Sequence, residues 1–190
     1  CHRQALGIEE DDWNRIKESS RVSLVPDPVF FSQFSHYMNP SQLEEVLSSL
    51  DFNVLIDEVE EAFDLCAYAS AQMIARTPAS SLPLISCYCP SVLRLIQSRF
   101  PELLSRVVHV CSPLELGADL WRMRTNSSVP VTLLAPCSSK ITMIREPQGR
   151  ERSPINHAVT VRRVARSIMA SNVTPASVQT LKTRKNRWVQ

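Results

Sequence analysis

Short apolar runs rich in β-branched residues alternate along this chain with segments of helical period, and no other feature restricts the fold as strongly. The runs are Val22 to Val25, Asn53 to Ile56, Leu82 to Ser86, Val131 to Ala135 and, more weakly, Ala158 to Val159. A near-continuous apolar strand is one buried on both faces, and its parallel neighbour is reached through a long crossover, usually a helix. The expected fold is α/β, a parallel β-sheet flanked by helices on both faces.

The helices between the runs carry start signals. In NPSQLEEVLSSL, Asn39 can cap, Pro40 suits the first helical position and Gln42 completes a capping-box pattern, before Leu43, Val46, Leu47 and Leu50 line one face. Ser112, Pro113 and Glu115 repeat that arrangement ahead of Leu116 and Leu120. A third helix is expected from about Glu58 to Arg76, with Val59, Phe63, Cys66 and Met73 near one face. A fourth follows Pro90, turns Leu93, Ile96 and Phe100 inward and is bent or stopped by Pro101. Thr160 is placed to cap a last helix carrying Val164 and Ile168.

With 190 residues, 44% of them hydrophobic, the chain is long enough for one core. Its formal charge of +2 is small and interleaved, which argues against nucleic acid or a membrane surface as a partner. The basic end, Lys182, Arg184, Lys185 and Arg187, reads as a solvated tail. No apolar run approaches the ~20 residues of a membrane span, and the start shows no cleavable apolar region. A first residue of cysteine and only three glycines suggest a fragment of something longer. The six cysteines, Cys1, Cys66, Cys87, Cys89, Cys111 and Cys137, lack the spacing of a disulfide scaffold. A reducing, cytoplasmic setting is expected, with most of the thiols small, buried and inert.

In parallel α/β sheets a ligand sits beyond the carboxyl ends of the strands. At that edge Val25 is followed by Pro26, Ser86 by Cys87, Tyr88, Cys89 and Pro90, and Ala135 by Pro136 and Cys137, while Cys111, Ser112 and Pro113 form another turn before a helix. Cysteines and prolines thus collect where chemistry is expected. No glycine-rich phosphate cradle is present, so nucleotide binding loses its best signal. A cysteine nucleophile would need a histidine beside it, and neither His109 nor His157 has a motif that places it. Zinc favours close pairs such as C-x-x-C, whereas this chain offers C-x-C and distant singles. Iron-sulfur ligation, which accepts thiolates from loops far apart in sequence, remains open beside inert thiols.

The segment SCYCPSVLRLIQSRFPELL, Ser86 to Leu104, resembles the first active-site cysteine motif of the iron-iron (FeFe) hydrogenases. VCSPLELGA, Val110 to Ala118, is similar to that family's serine-proline turn. VTLLAPCSSK, Val131 to Lys140, is similar to its second cysteine motif, and VPDPVFFSQF, Val25 to Phe34, to the strand end where the domain begins. The order and approximate spacing agree from Val22 to about Ala170.

The resemblance implies that Cys89 and Cys137 are metal ligands of the H-cluster, a 4Fe-4S cubane joined to a two-iron unit carrying carbon monoxide and cyanide. It implies that Lys140 hydrogen-bonds a cyanide ligand, with Pro26, Ser112, Pro113 and Pro136 as pocket wall. Cys1 resembles the last cysteine of a ferredoxin-type motif. Residues 1–20 would then end a ferredoxin-like cluster segment and add a linker helix, 21–170 form the first half of the hydrogenase domain, and 171–190 be a basic tail or linker. The partners implied are that upstream segment, the downstream half of the domain and a signalling module.

The departures from the family pattern are specific. The proton-passing cysteine before the first ligand is replaced by Tyr88, and a phenol with a pKa near ~10 relays protons poorly at neutral pH. The helix positions of the acidic relay residues carry Ala69 and Ser70. No cysteine follows Cys137, so the second pair of cluster ligands has no counterpart. LRLIQSRFPELL is closer to relatives attached to signalling modules, which implies a sensory or low-activity member. A non-catalytic iron-sulfur or assembly protein of the superfamily, and a metal-free α/β interaction module, are the alternatives.

Overall fold

A computed structural model describes residues 11–19, 21–34, 38–147 and 149–170. The elements run α1 (Trp13–Lys17), β1 (Val22–Pro26), α2 (Val29–Ser32), α3 (Pro40–Ser49), β2 (Phe52–Val54), α4 (Ile56–Arg76), α5 (Pro90–Arg99), α6 (Pro113–Thr125), β3 (Val131–Ala135), α7 (Ser138–Arg145), β4 (His157–Thr160) and α8 (Val161–Ala170). The strands form a four-stranded parallel sheet in the order β2-β1-β3-β4.

Every position of β1 and β3 is buried, as their unbroken apolar character requires. Alternate side chains enter two cores. Val25, Val131, Leu133 and Ala135 pack with Val59 of α4, Leu114, Ala118 and Trp121 of α6 and Ile141 and Ile144 of α7. Val22, Leu24 and Leu134 pack on the other face with Phe30 of α2, Leu43, Val46 and Leu47 of α3 and Val164 and Ile168 of α8. The sheet is therefore covered by helices on both faces. Gly117 lets α6 approach α4, because a Cβ there would stand 3.1 Å from Val59 Cγ2 and 3.3 Å from the Glu58 carbonyl oxygen.

The cap at Asn39 forms as expected. Its side chain accepts from Gln42 N, the Gln42 side chain accepts from Asn39 N, and Pro40 opens α3. The outer side of β4 is closed by carboxylates: Ala158 N donates to Asp12 at 3.0 Å and Thr160 N to Asp11 at 3.2 Å, which satisfies donors that an edge strand leaves open.

Three expectations are corrected. Leu82 to Ser86 is not a strand; only Ile85 makes a single parallel bridge, to Val107, because Pro83 removes a donor and Leu82 stays exposed. Phe100 is 46% exposed instead of inward, just beyond the end of α5, which buries only Pro90 and Ile96. Thr160 stands directly before α8 as expected, where it also ends β4 and donates its hydroxyl to Asp11 at 2.8 Å. The cysteines are mostly not buried: among those described only Cys66 is, while Cys87 is intermediate and Cys89, Cys111 and Cys137 are exposed. Cys1 and residues 171–190 lie outside the described residues.

Candidate metal centre

The strand order decides where a site can form. The chain leaves β1 toward β2 on one side and later returns to place β3 on the other, so the connections diverge at the carboxyl ends of β1 and β3. Such a switch point leaves a crevice. Pro26 and Asp27 end β1 at this crevice, and Pro136 and Cys137 follow the end of β3.

Cys137 is the N-cap residue of α7 and Cys89 the N-cap residue of α5, both with extended backbone. Neither side chain caps its helix. Proline at the start of α5 needs no donor there, which lets Cys89 end the preceding coil and begin the helix. The Cys137 thiol lies 3.1 Å from Ser139 Oγ.

Lys140 stands on the first turn of α7 and is only 4% exposed. Its Nζ donates to the Tyr88 carbonyl oxygen at 3.0 Å and lies 3.4 Å from the centre of the Tyr88 ring, a cation-π contact. The Tyr88 hydroxyl donates to Asp27 Oδ2 at 2.9 Å, and Asp27 Oδ1 accepts from Val29 N at 3.1 Å. Asp27 is 1% exposed. Phe63 of α4 meets the Tyr88 ring edge-on at 5.6 Å. A buried carboxylate, a phenol and an ammonium thus form one connected group between β1, α5 and α7.

Burial lowers the Lys140 ammonium below the ordinary lysine range, while the Asp27 carboxylate and the thiols of Cys137, Cys89 and Cys87 pull it back up. The Tyr88 phenol is raised well above its ordinary value, first by burial, then by the charge of Asp27 and the hydrogen bond to it. The Cys137 and Cys89 thiols raise it further. Tyr88 holds its proton, and holds Asp27 and Lys140 in place.

The start of α6 departs from its expected cap. Ser112 is the N-cap residue, but its side chain makes no cap hydrogen bond, and its buried Oγ has no partner among the described residues. Glu115 is 4% exposed with Oε1 also unpartnered. Burial raises its carboxyl, opposed by a hydrogen bond to Ser153 and by the charges of Arg150 and Lys140.

Asp27 follows Pro26, Tyr88 precedes Cys89, and Lys140 shares α7 with its N-cap Cys137, so the Asp27–Tyr88–Lys140 contacts group these positions at the crevice; Ser112 and Pro113 follow Val110, whose carbonyl oxygen accepts from Cys87 Sγ at 3.1 Å. His157 begins β4, at the opposite end of the sheet, 4.0 Å from Asp12. His109 is exposed. Neither serves a thiol here. Asp27 and Glu115 were missed from the sequence; the one available signal was an aspartate between two prolines directly after an apolar strand.

Two exposed thiols at helix N-termini beside a buried ammonium fit two thiolate positions next to an anionic group. Among the described residues no group of three histidine, cysteine, aspartate or glutamate side chains could hold a metal ion. The residues fit a share of such a site.

A parallel α/β fold with cysteines following its switch point is the class that fold and site define. The family model "Iron only hydrogenase large subunit, C-terminal domain" matches residues 21–187, and the chain belongs to that family. Among solved structures it is similar to a variant of FeFe-hydrogenase HydA1 from Chlamydomonas reinhardtii, with a TM-score of 0.64 and 14% identity over 88% of this chain and 46% of that one. An apo variant of the same HydA1 gives 0.57 and 15%, covering 96% and 50%. HydA(deltaEFG), solved in a study of stepwise H-cluster assembly, gives 0.58 and 16%, covering 93% and 47%. At these identities the likeness shows the fold. The chain spans about half the length of these structures. No curated protein matches it.

Proposed function

We propose that this chain is the first half of an FeFe-hydrogenase-type domain, supplying Cys89, Cys137 and Lys140 to an H-cluster completed by a downstream half. The carrying observation is the buried Lys140 ammonium, held over Tyr88 within reach of the charges of both thiols. In this reading Cys89 and Cys137 ligate the 4Fe-4S cubane, and Lys140 orients toward an anionic ligand of the two-iron unit. When bound, that cluster supplies reversible hydrogen oxidation and proton reduction. Pro26, Ser112, Pro113 and Pro136 exclude water around it, and Ser112 Oγ is a free polar group for a ligand atom.

Tyr88 supports a sensory or low-turnover role over a bulk hydrogen producer. Its proton is held by Asp27 and by burial, so this position passes protons poorly. The same observation favours a second reading, in which the cubane is retained and the two-iron unit never binds. A cytoplasmic location, a ferredoxin-like cluster ending at Cys1 and a signalling module belong to the proposal. Among the described residues no helix is long and apolar enough to cross a membrane.

The test is anaerobic reconstitution of the longer polypeptide containing this chain, followed by maturation. Iron-sulfur absorption together with infrared bands of iron-bound carbon monoxide and cyanide is the expected result. Absorption without those bands selects the second reading. If Cys89→Ala and Cys137→Ala left both signals unchanged, the ligand assignment would fall.

A further inference from the structure

Three cysteines take no part in the proposed ligation, and the fold gathers them. Cys66 lies on α4, one turn beyond Phe63; Cys87 precedes Tyr88; and Cys111 directly precedes Ser112. Cys66 Sγ donates to the Cys111 carbonyl oxygen at 3.5 Å, which sets the Cys66 thiol against the Cys111 residue. Cys87 Sγ donates to the Val110 carbonyl oxygen at 3.1 Å. All are free thiols; Cys66 is 9% exposed, whereas Cys111 is open to solvent.

We propose that Cys66 and Cys111 form a thiol-disulfide exchange site whose substrate is a small-molecule disulfide of the glutathione type. Exposure sets the order of events. Cys111, as thiolate, attacks the external disulfide; one glutathione thiolate leaves and a mixed disulfide forms on Cys111. Cys66 then gives up its proton and attacks the Cys111 sulfur. The second glutathione thiolate leaves and takes up a proton. Two protein thiols are oxidised to one disulfide, and the external disulfide is reduced to two thiols.

Burial, then the charge and hydrogen bond of Cys111, and then Cys87, push the Cys66 thiol up to about 12. Cys66 is therefore the slow, resolving partner and not the first to react. Capping Cys111 removes its charge, one of the causes that holds the Cys66 proton. The resulting bond ties α4, which carries Phe63 against Tyr88, to the residue before the Ser112-Pro113 wall. Oxidation at this pair thereby restrains two sides of the crevice at once.

The test uses the full chain, purified anaerobically, treated with glutathione disulfide, quenched in acid and mapped by non-reducing peptide mass spectrometry. The expected product joins the Cys66 peptide to the Cys111 peptide and carries no glutathione on Cys111. Cys66→Ser should retain glutathione on Cys111, and Cys87→Ser should still close the Cys66–Cys111 bond. If Cys66→Ser fails to fold, Cys111→Ser takes its place, and there Cys66 should stay unmodified. A lasting mixed disulfide on Cys111 in the unsubstituted chain, a bond routed through Cys87, glutathione on Cys66 in Cys111→Ser, or unreacted thiols at both positions overturns the proposal. No readout involves iron, so the outcome is separable from that of the cluster assignment.

Discussion

The four-stranded sheet and the excursion from Thr77 to Ser112 differ sharply in burial. Strands β1 and β3 have no exposed position, and α6 buries Pro113, Leu114, Glu115, Gly117, Ala118 and Trp121. The excursion buries little: α5 hides Pro90 and Ile96 and leaves Val92 40%, Leu95 51% and, at its end, Phe100 46% exposed. Yet the excursion supplies Cys87, Tyr88, Cys89, Cys111 and Ser112, while the sheet region supplies Asp27, Cys137 and Lys140. The site is thus half rigid frame and half lightly anchored segment, joined by the buried contacts of Tyr88. Few buried apolar contacts mean low local stability, which suits a segment that receives a ligand or a second half-domain.

The largest expected contrast lies in packing. Leu133→Ala, at 0% exposure in β3, should lower the unfolding free energy by about 2 to 5 kcal/mol, whereas Leu95→Ala should change it by less than about 0.5 kcal/mol. Denaturant titration measures both, and equal losses would break the distinction between frame and excursion.

A smaller effect is expected where the two regions meet. Tyr88→Phe keeps the ring under Lys140 but leaves Asp27 Oδ2 without its phenolic donor, at a cost of about 1 to 3 kcal/mol. Combined with Asp27→Ala, the two losses should not add. Strict additivity would show that the excursion is not held to the frame through this bond.

The remaining effect is one of pH. Cys66, raised from 9.0 to about 12, keeps in the folded chain a proton that the unfolded chain releases. Its contribution is complete below pH 9 and is lost as pH rises from about 9 to 12. Tyr88, also raised, acts in the same direction at the upper end. Cys66→Ser should make the alkaline decline in stability shallower, read as unfolding midpoint against pH. An unchanged slope would place Cys66 in a more solvated setting than α4 gives it.

Much of the frame was legible because its signals are local. The β-branched runs of β1 and β3, and the Asn39-Pro40-Gln42 cap, each depend on neighbours within a few residues. Leu82 to Ser86 misled for the same reason. Its composition is that of a strand, but the sheet offers it no neighbour, and the chain grants only the Ile85–Val107 bridge. The ligand candidates Cys89 and Cys137 were legible through motifs, whereas Asp27 and Glu115 were not. A carboxylate in sequence carries no mark of whether it meets water or a phenol sixty-one positions away.

By itself the sequence determined the α/β class and the Asn39–Pro40–Gln42 helix start, since periodicity and caps are short-range properties. Tertiary structure alone decided the order β2-β1-β3-β4, and with it the crevice between β1 and β3. It also decided that Lys140 reaches Tyr88 across fifty-two positions and that Cys66 meets Cys111 across forty-five. The physical reason is that desolvation and polar pairing act through space. A buried ammonium, phenol or thiol takes its charge state from groups that the fold, and not the chain order, makes its neighbours.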